Sequence, residues 1–192
     1  MPGIGERPKR ADGRRNFDAL LTAARAAFER DGVGTSLEAI AKDAGVAIGT
    51  LYRHFPNRDW LIATLIQGSL LNLTALAREL LELDDRLEAL RRFVDAAIAH
   101  ACTFRGLAET LSVSFQDERS PLNEFCHDMH DSSIELLLRA QAAGVVRDDI
   151  DGDNLWTMIL SSAWLRETSQ PGEDRSLVVT RLALDGMTVH PA

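Results

Sequence analysis

Residues 35–61 read TSLEAIAKDAGVAIGTLYRHFPNRDWL, and they predict two short helices joined by a turn. The apolar residues of the first helix share one face: Leu37, Ile40, Ala41 and Ala44. Gly45 ends that helix. A second helix is predicted over 48–55. It ends before Pro56, because proline disfavours the helical conformation of the residue that precedes it. A helix, a glycine turn and a second short helix are the elements of a helix-turn-helix, whose second helix fits the major groove of DNA.

Two capping signals flank this unit. The TSLE sequence at 35–38 predicts a capping box, in which the Thr35 hydroxyl accepts from the Glu38 amide. Asn57 is a good cap for the following helix. That helix is predicted from Arg58 to about residue 83, with Leu61, Leu65, Leu73, Leu76 and Leu80 facing inward.

The remaining sequence is helical in pattern throughout. Phe17, Leu20, Leu21, Ala24 and Phe28 line one face of a helix over about 16–31. Further helices are predicted at about 85–104, 106–116, 121–143, 151–167 and 174–188, with a break at Pro171-Gly172 before the last. The fold class is therefore all-α with about nine helices. We divide the chain into a disordered basic arm (1–13), a helix-turn-helix domain (14–60) and a larger helical effector-binding and dimerisation domain (61–192).

Charge is distributed unevenly along the chain. The net charge is -8. Residues 1–60 hold 10 Lys and Arg against 8 Asp and Glu, whereas residues 61–192 hold 11 against 21. The basic residues at the N-terminus are Arg7, Lys9 and Arg10 in the arm, followed directly by Arg14 and Arg15. A basic segment can bind phosphate on an acidic protein, and a solvated tail explains the same residues equally well.

Nothing in the sequence predicts a membrane protein. A span needs about 18 continuous apolar residues, and the longest candidate, 155–165, is interrupted by Thr157, Ser161 and Ser162. The basic N-terminus has no apolar run behind it and does not predict a signal peptide. We therefore expect a cytoplasmic protein.

The outward side of the second short helix carries groups suited to DNA. Gly49, Thr50 and Arg53 lie on it, with Tyr52 and His54 at its flanks. Thr and Arg donate hydrogen bonds to phosphates and base edges, and a glycine allows close approach. Ala47 and Ile48 offer apolar contacts to thymine methyl groups. A helix–turn–helix pattern alone is weakly specific, because many helical hairpins are purely structural.

The whole of residues 35–61 resembles the tetracycline-repressor (TetR) family of transcriptional regulators. The resemblance implies a regulator of double-stranded DNA, in most members a repressor that a small-molecule effector releases from a palindromic operator. It implies phosphate contacts by Thr35, Ser36, Tyr52, His54 and Arg58. It implies contacts to base edges or the adjoining backbone by Ile48, Gly49, Thr50 and Arg53. Two positions depart from the family pattern: Ala47 stands where serine is common, and Arg58 where lysine is usual.

The last two helices are predicted to form a homodimer interface. The penultimate helix is apolar nearly all round and must be buried on more than one side. Two such hairpins make a four-helix bundle. The predicted interface residues are Leu155, Met158, Ile159, Leu177, Val178, Arg181 and Leu182. The alternative is that both helices fill the core of one chain.

An effector pocket follows from the resemblance rather than from the residues. The candidates are Phe93, His100, Phe104, Phe115, Phe125, Met129 and Trp164. Apolar walls with a few polar groups are what a small-molecule site needs. Each of these side chains also fits an ordinary core, and none of them identifies a ligand.

Catalytic and metal-binding interpretations are weaker. Glu124 and His127 form half of a di-iron motif, but no second Glu-x-x-His exists. Cys126, His127 and His130 have a spacing that permits a single metal ion, and ordinary surface histidines explain them as well. There is no Gly-rich phosphate loop or nucleophile elbow. We predict no enzyme, no cofactor and no metal, and keep open a helical interaction protein that has lost DNA binding.

Overall fold

The computed structural model describes residues 6–169 and 175–189, and helices dominate both ranges. Nine helices lie in these ranges: α1 Ala11–Asp31, α2 Leu37–Asp43, α3 Ile48–His54, α4 Arg58–Leu81, α5 Arg86–Ala101, α6 Leu107–Gln116, α7 Asn123–Ala142, α8 Gly152–Thr168 and α9 Ser176–Met187. The all-α prediction is confirmed. The predicted Pro171-Gly172 break and residues 1–5 of the arm lie outside the described ranges.

The three N-terminal helices, here called the head, close on a small apolar core. Its fully buried side chains come from all three helices and the segment after them: Leu20, Phe28, Ile40, Leu51 and Phe55. Helix α1 begins at Ala11, so the prediction of disorder is wrong for residues 11–13. Asp12 lies in the first turn and pairs with Arg15 one turn later, and both features favour a helix start there.

Capping differs from the prediction at one helix and agrees at another. Ser36, not Thr35, caps α2, because its Oγ accepts from the Ala39 amide at 3.2 Å. The Thr35 hydroxyl donates instead to the Gly32 carbonyl at 2.9 Å. The Asn57 cap of α4 is confirmed, with Oδ1 3.1 Å from the Trp60 amide.

Helices α4–α9 form a second, larger layer, here called the body. Helix α4 links head to body, and its buried face includes Leu61, Leu73 and Leu80, as predicted, while Leu65 and Leu76 are only partly buried. By length and mean hydropathy (1.5) α4 also passes as a membrane span. The core helix of a water-soluble domain passes the same test, and α4 packs against α5 and α7.

The chain ends by folding back on the body. Ser176, Thr180, Leu184 and Met187 form the buried face of α9. An isolated antiparallel bridge joins Val146 to Thr188. The Arg147 amide donates to the Met187 carbonyl at 2.9 Å. These bonds tie the end of α9 to the segment between α7 and α8. Helix α9 also packs against α8, and its opposite face is exposed.

Candidate nucleic-acid interface

The α2–α3 turn is a Schellman motif built on Gly45. The Gly45 amide donates to the Lys42 carbonyl and the Val46 amide to the Ala41 carbonyl, both at 3.0 Å. Gly45 has φ +69°, which a residue with a Cβ adopts only at a cost. The turn therefore sets the angle at which α3 leaves α2.

Helix α3 packs through one side and exposes the other. Leu51 is fully buried and Ile48 packs partly against the core. Tyr52 is 45% exposed, and Gly49 and Arg53 are exposed. Within the described part of the chain, the side chains of Tyr52 and Arg53 have no hydrogen bond or ion pair. A basic, aromatic surface one helix wide is thus available to an outside partner.

Gly49 is not required by the protein's own packing. In the described part of the chain, no atom lies within 4 Å of a Cβ placed at Gly49. Glycine in a helix costs about 0.5–1 kcal/mol relative to alanine. The chain's own packing therefore does not explain the glycine. Close approach of another molecule to this helix would explain it, because a side chain at position 49 would stand in the way.

Ala47 caps α3 without a side-chain hydrogen bond, as the predicted loss of the usual serine implies.

His54 is half buried, with its ring edge-on to Phe17 at 5.9 Å between centroids. Burial, helped by the nearby charge of Arg53, lowers the pKa of His54. The imidazole is therefore mainly neutral at pH 7, and a phosphate contact from it is a plain hydrogen bond.

The predicted phosphate donors before α2 already have partners within the chain. Thr35 gives its hydroxyl proton to the Gly32 carbonyl, and Ser36 gives its own to Glu38 Oε2 at 2.7 Å. That bond lowers the pKa of Glu38, because it stabilises the carboxylate. Phosphate binding at these two hydroxyls has to replace an existing bond.

Arg58, a predicted phosphate contact, already has hydrogen-bond partners within the chain. Its Nη1 donates to the carbonyls of Val33 and Thr35 and ties the α1–α2 loop to the start of α4. The side chain is half buried there. Its first role is to position the beginning of α2.

The described part of the basic arm lies on the head. Arg7 pairs with Asp18 of α1, and Arg14 donates to the Lys9 carbonyl. Together with Phe17 and Arg53, the arm lines a groove of about 370 Å³ beside α3. These pairs do not decide between a phosphate-binding arm and a solvated tail. They place the arm next to the outward face of α3.

Two family models match the chain. Residues 20–65 match the tetR family of bacterial regulatory proteins. Residues 85–189 match the C-terminal domain of SbtR-like transcriptional regulators. The chain belongs to the TetR family. It is therefore a DNA-binding transcriptional regulator, in agreement with the resemblance of residues 35–61.

Solved structures of TetR-family regulators agree with this assignment. A regulator from Mycobacterium vanbaalenii is 30% identical, with a TM-score of 0.53, over 95% of this chain and 100% of that one. SCO0520 from Streptomyces coelicolor is 28% identical, with a TM-score of 0.60, over 91% and 99%. The transcriptional regulator FadR from Bacillus subtilis, bound to stearoyl-CoA, shares the fold at 18% identity and a TM-score of 0.63, over 91% and 100%.

The predicted effector-pocket residues fall into separate places. Phe93, His100 and Met129 lie in the interior of the body, and Phe125 is partly buried. Phe104 lies at the head–body junction, with its ring 5.6 Å from that of Phe28. Phe115 joins a cluster with His127, His130 and Trp156. Trp164 is 55% exposed and belongs to a surface. The structure does not bring these seven residues together.

The possible metal ligands do not converge. Cys126 is buried, its thiol faces the Leu111 carbonyl at 3.7 Å, and burial raises its pKa to about 12. The ring of His127 is tilted against that of Phe115, with 4.6 Å between their centroids, and His130 Nε2 lies 3.2 Å from Asp153 Oδ1. In the described ranges, no group of three His, Cys, Asp or Glu residues has the geometry of a metal site.

The predicted dimer residues are divided between core and surface. Leu155 and Ile159 are fully buried in the chain's own core and Met158 is partly buried. The interface prediction therefore does not hold for Leu155 and Ile159, because helix periodicity cannot tell two apolar faces apart. Leu177, Val178, Arg181 and Leu182 are exposed. Sequence reasoning missed Val113 and Val179, which are exposed beside Trp164 around an open groove of about 610 Å³.

Proposed function

We propose that this TetR-family regulator is a cytoplasmic repressor that binds a palindromic operator as a homodimer and leaves it when a small-molecule effector binds. The head, residues 14–60 extended back to Ala11, inserts α3 into the major groove. The body, 61–192, dimerises and holds the effector. The chain acts by binding and not as an enzyme.

The observation that carries this proposal is the outward face of α3. Among the described residues, Arg53 and Tyr52 present unpaired polar groups to solvent beside Gly49, whose missing side chain leaves open space. Ala47, Thr50 and the part of Ile48 that is not packed against the core complete the surface that faces base edges. Arg53 is the strongest single candidate, because arginine donates to guanine in a bidentate manner or to phosphate. His54 and the hydroxyls of Thr35 and Ser36 contribute phosphate contacts at the edge.

Salt-dependent titration tests this role of Arg53. Removal of one phosphate contact reduces the slope of log affinity against log salt by about 1, whereas removal of a base contact weakens binding at the selected site by about 1–3 kcal/mol. We expect Arg53→Ala to show at least one of these two effects. The matched control is Arg78→Ala, an exposed arginine on α4, which should behave as wild type. Equal curves for both variants would contradict the proposal.

A second copy of the chain is the proposed partner of the α8–α9 surface. One module makes few phosphate contacts, so specific affinity needs two heads on half-sites about 34–36 Å apart. The exposed apolar side chains that support this surface are Val113, Trp164, Leu177, Val178, Val179 and Leu182. An exposed patch of this kind at the chain's last two helices marks a protein–protein interface.

Sedimentation of surface variants tests the dimer. Leu182 is 67% exposed, and Leu182→Glu places a charge in the proposed interface. We therefore expect the dissociation constant of the dimer to rise at least about tenfold over that of wild type. Leu71, 62% exposed on α4, provides the matched control. A Leu182→Glu protein that dimerises as tightly as Leu71→Glu would contradict the assignment.

The proposed effector site centres on His100. Both ring nitrogens of His100 and the indole nitrogen of Trp156 are buried and have no hydrogen-bond partner among the residues that the structure describes. Buried polar atoms are normally satisfied, so a ligand or water that reaches them gains hydrogen bonds. No Asp, Glu, Lys or Arg is buried in the described ranges, which favours an uncharged, mainly apolar effector with a polar group. Thermal-shift screening of such compounds on wild type and His100→Leu, followed by operator release, tests this site.

A further inference from the structure

The loop between α5 and α6 lies directly on the loop between α1 and α2. The Val33 amide donates to the Arg105 carbonyl at 2.9 Å, and Arg105 Nη2 donates to the Asp31 carbonyl at 2.6 Å. Gly32 has φ +88°, and a Cβ there would lie 2.7 Å from the Arg105 carbonyl oxygen. The two loops are therefore in backbone contact, at a distance that only glycine permits.

Glu167 of α8 holds the other end of this contact. Its Oε2 accepts from the Gly106 amide at 2.8 Å and its Oε1 from the Ala108 amide at 3.4 Å. Helix α6 has no side-chain cap of its own, and the first amides of a helix lack partners within it. A carboxylate from α8, 61 residues away in sequence, thus caps α6 immediately after Arg105.

The same α1–α2 loop is held from the other side by α4. Arg58 donates to the Val33 carbonyl, so the peptide groups of Val33 are bonded on one side to Arg105 and on the other to Arg58. Ser36, the cap of α2, follows three residues later. The direction of α2, and through the Gly45 turn that of α3, depends on this loop.

We propose that Glu167 is a positioning residue for DNA binding, which fixes the angle between head and body through the N-terminus of α6 and Arg105. This contact is a second connection between the two layers, in addition to the continuous helix α4. The inference rests on the proposed operator-binding function. Glu167 also lies one turn from Trp164 on α8, so a second copy docked on the α8–α9 surface adjoins the contact that orients the head.

The test compares the removal of two helix caps. Glu167→Ala removes the cap of α6, and Asp85→Ala removes the equivalent carboxylate cap of α5, whose Oδ1 accepts from the Glu88 amide at 3.0 Å. A merely structural role predicts similar behaviour for both variants. Glu167→Gln keeps an acceptor oxygen and should restore most of the wild-type behaviour.

Hydrogen–deuterium exchange on the full chain reads head positioning without DNA. We expect exchange at residues 31–36 to become about tenfold faster in Glu167→Ala, and to stay at the wild-type rate in Asp85→Ala. On the operator, we expect Glu167→Ala to bind about tenfold more weakly, the effect of removing one charged hydrogen bond. It should also discriminate less against an operator with one base pair inserted between the half-sites.

Unchanged exchange at residues 31–36, or spacing preferences identical to those of Asp85→Ala, would overturn the proposal. A wild-type protein that binds no palindrome would refute the operator-binding function instead. The exchange experiment still decides the role of Glu167 in that case, because it needs no DNA.

Discussion

His100 gives the body a built-in sensitivity to acid. The side chain is 6% exposed and its ring nitrogens have no hydrogen-bond partner in the described residues. Burial lowers the pKa of His100 to about 4, against about 6.5 in an unfolded chain. The folded state binds this proton more weakly than the unfolded state does. The contribution of neutral His100 to the free energy of unfolding is therefore fully present above about pH 6.5. It is lost as the pH falls towards 4.

The size of the effect follows from the same two values. One pKa unit corresponds to about 1.36 kcal/mol, so the full difference is worth at most about 3 kcal/mol. Between pH 7 and pH 4.5, linkage predicts a loss of about 2 to 3 kcal/mol in the free energy of unfolding from His100 alone. Other groups titrate in this window, so the prediction concerns the difference between two proteins.

Urea unfolding at pH 7, 6, 5 and 4.5, at one protein concentration, measures this difference. His100→Leu removes the titrating group, and its stability should fall less on acidification than that of wild type, by about 2 to 3 kcal/mol at pH 4.5. Leu71→Ala, at an exposed residue of α4, leaves His100 in place and should keep the wild-type pH dependence. Parallel curves for wild type and His100→Leu would refute the argument that His100 is buried neutral.

Three further predictions concern the head and the thiols. Gly49→Ala should raise the free energy of unfolding by about 0.5–1 kcal/mol and weaken operator binding, whereas Gly68→Ala, also in open helical space, should stabilise without weakening it. Urea unfolding and operator titration check both, and unimpaired binding by Gly49→Ala would contradict close approach at α3. Arg58→Ala should lower the free energy of unfolding by about 1–3 kcal/mol, because it removes charged hydrogen bonds to two carbonyls; unchanged stability would contradict this structural role of Arg58. Cys126 should resist a thiol reagent in the native protein at pH 8 while Cys102 reacts first, and mass spectrometry showing equal rates at both would be inconsistent with the buried thiol.

Local patterns carried most of what the sequence predicted. The helix-turn-helix follows from apolar spacing, Gly45 and Pro56, each of which acts on the few residues around it. The predicted helix bounds after Arg58 agree with the observed ones within a few residues. The Thr35 capping box failed by one residue, because Thr35 and Ser36 are chemically equivalent caps and only the loop geometry chooses between them.

Long-range contacts account for what the sequence did not predict. Arginine commonly binds phosphate, so the residue type of Arg58 fits a phosphate contact. Its observed hydrogen bonds depend on carbonyls 23 and 25 residues away in sequence. Glu167 reaches amides 59 and 61 residues away, and no spacing rule connects them. Leu155 and Leu177 have the same apolar character, yet one is core and the other surface. A single sequence gives residue types on a helix but not the neighbour that each face meets.

Recognition of a two-fold operator by the outward face of α3 underlies the proposed function. The most direct test is selection of bound duplexes from fragmented genomic DNA, with wild type and the Tyr52→Ala/Arg53→Ala variant in parallel. We expect wild type to enrich a short palindrome whose half-sites lie one helical turn, or a multiple of it, apart, and the variant to enrich none. Enrichment of the same palindrome by both proteins, or of no site by wild type, would contradict it.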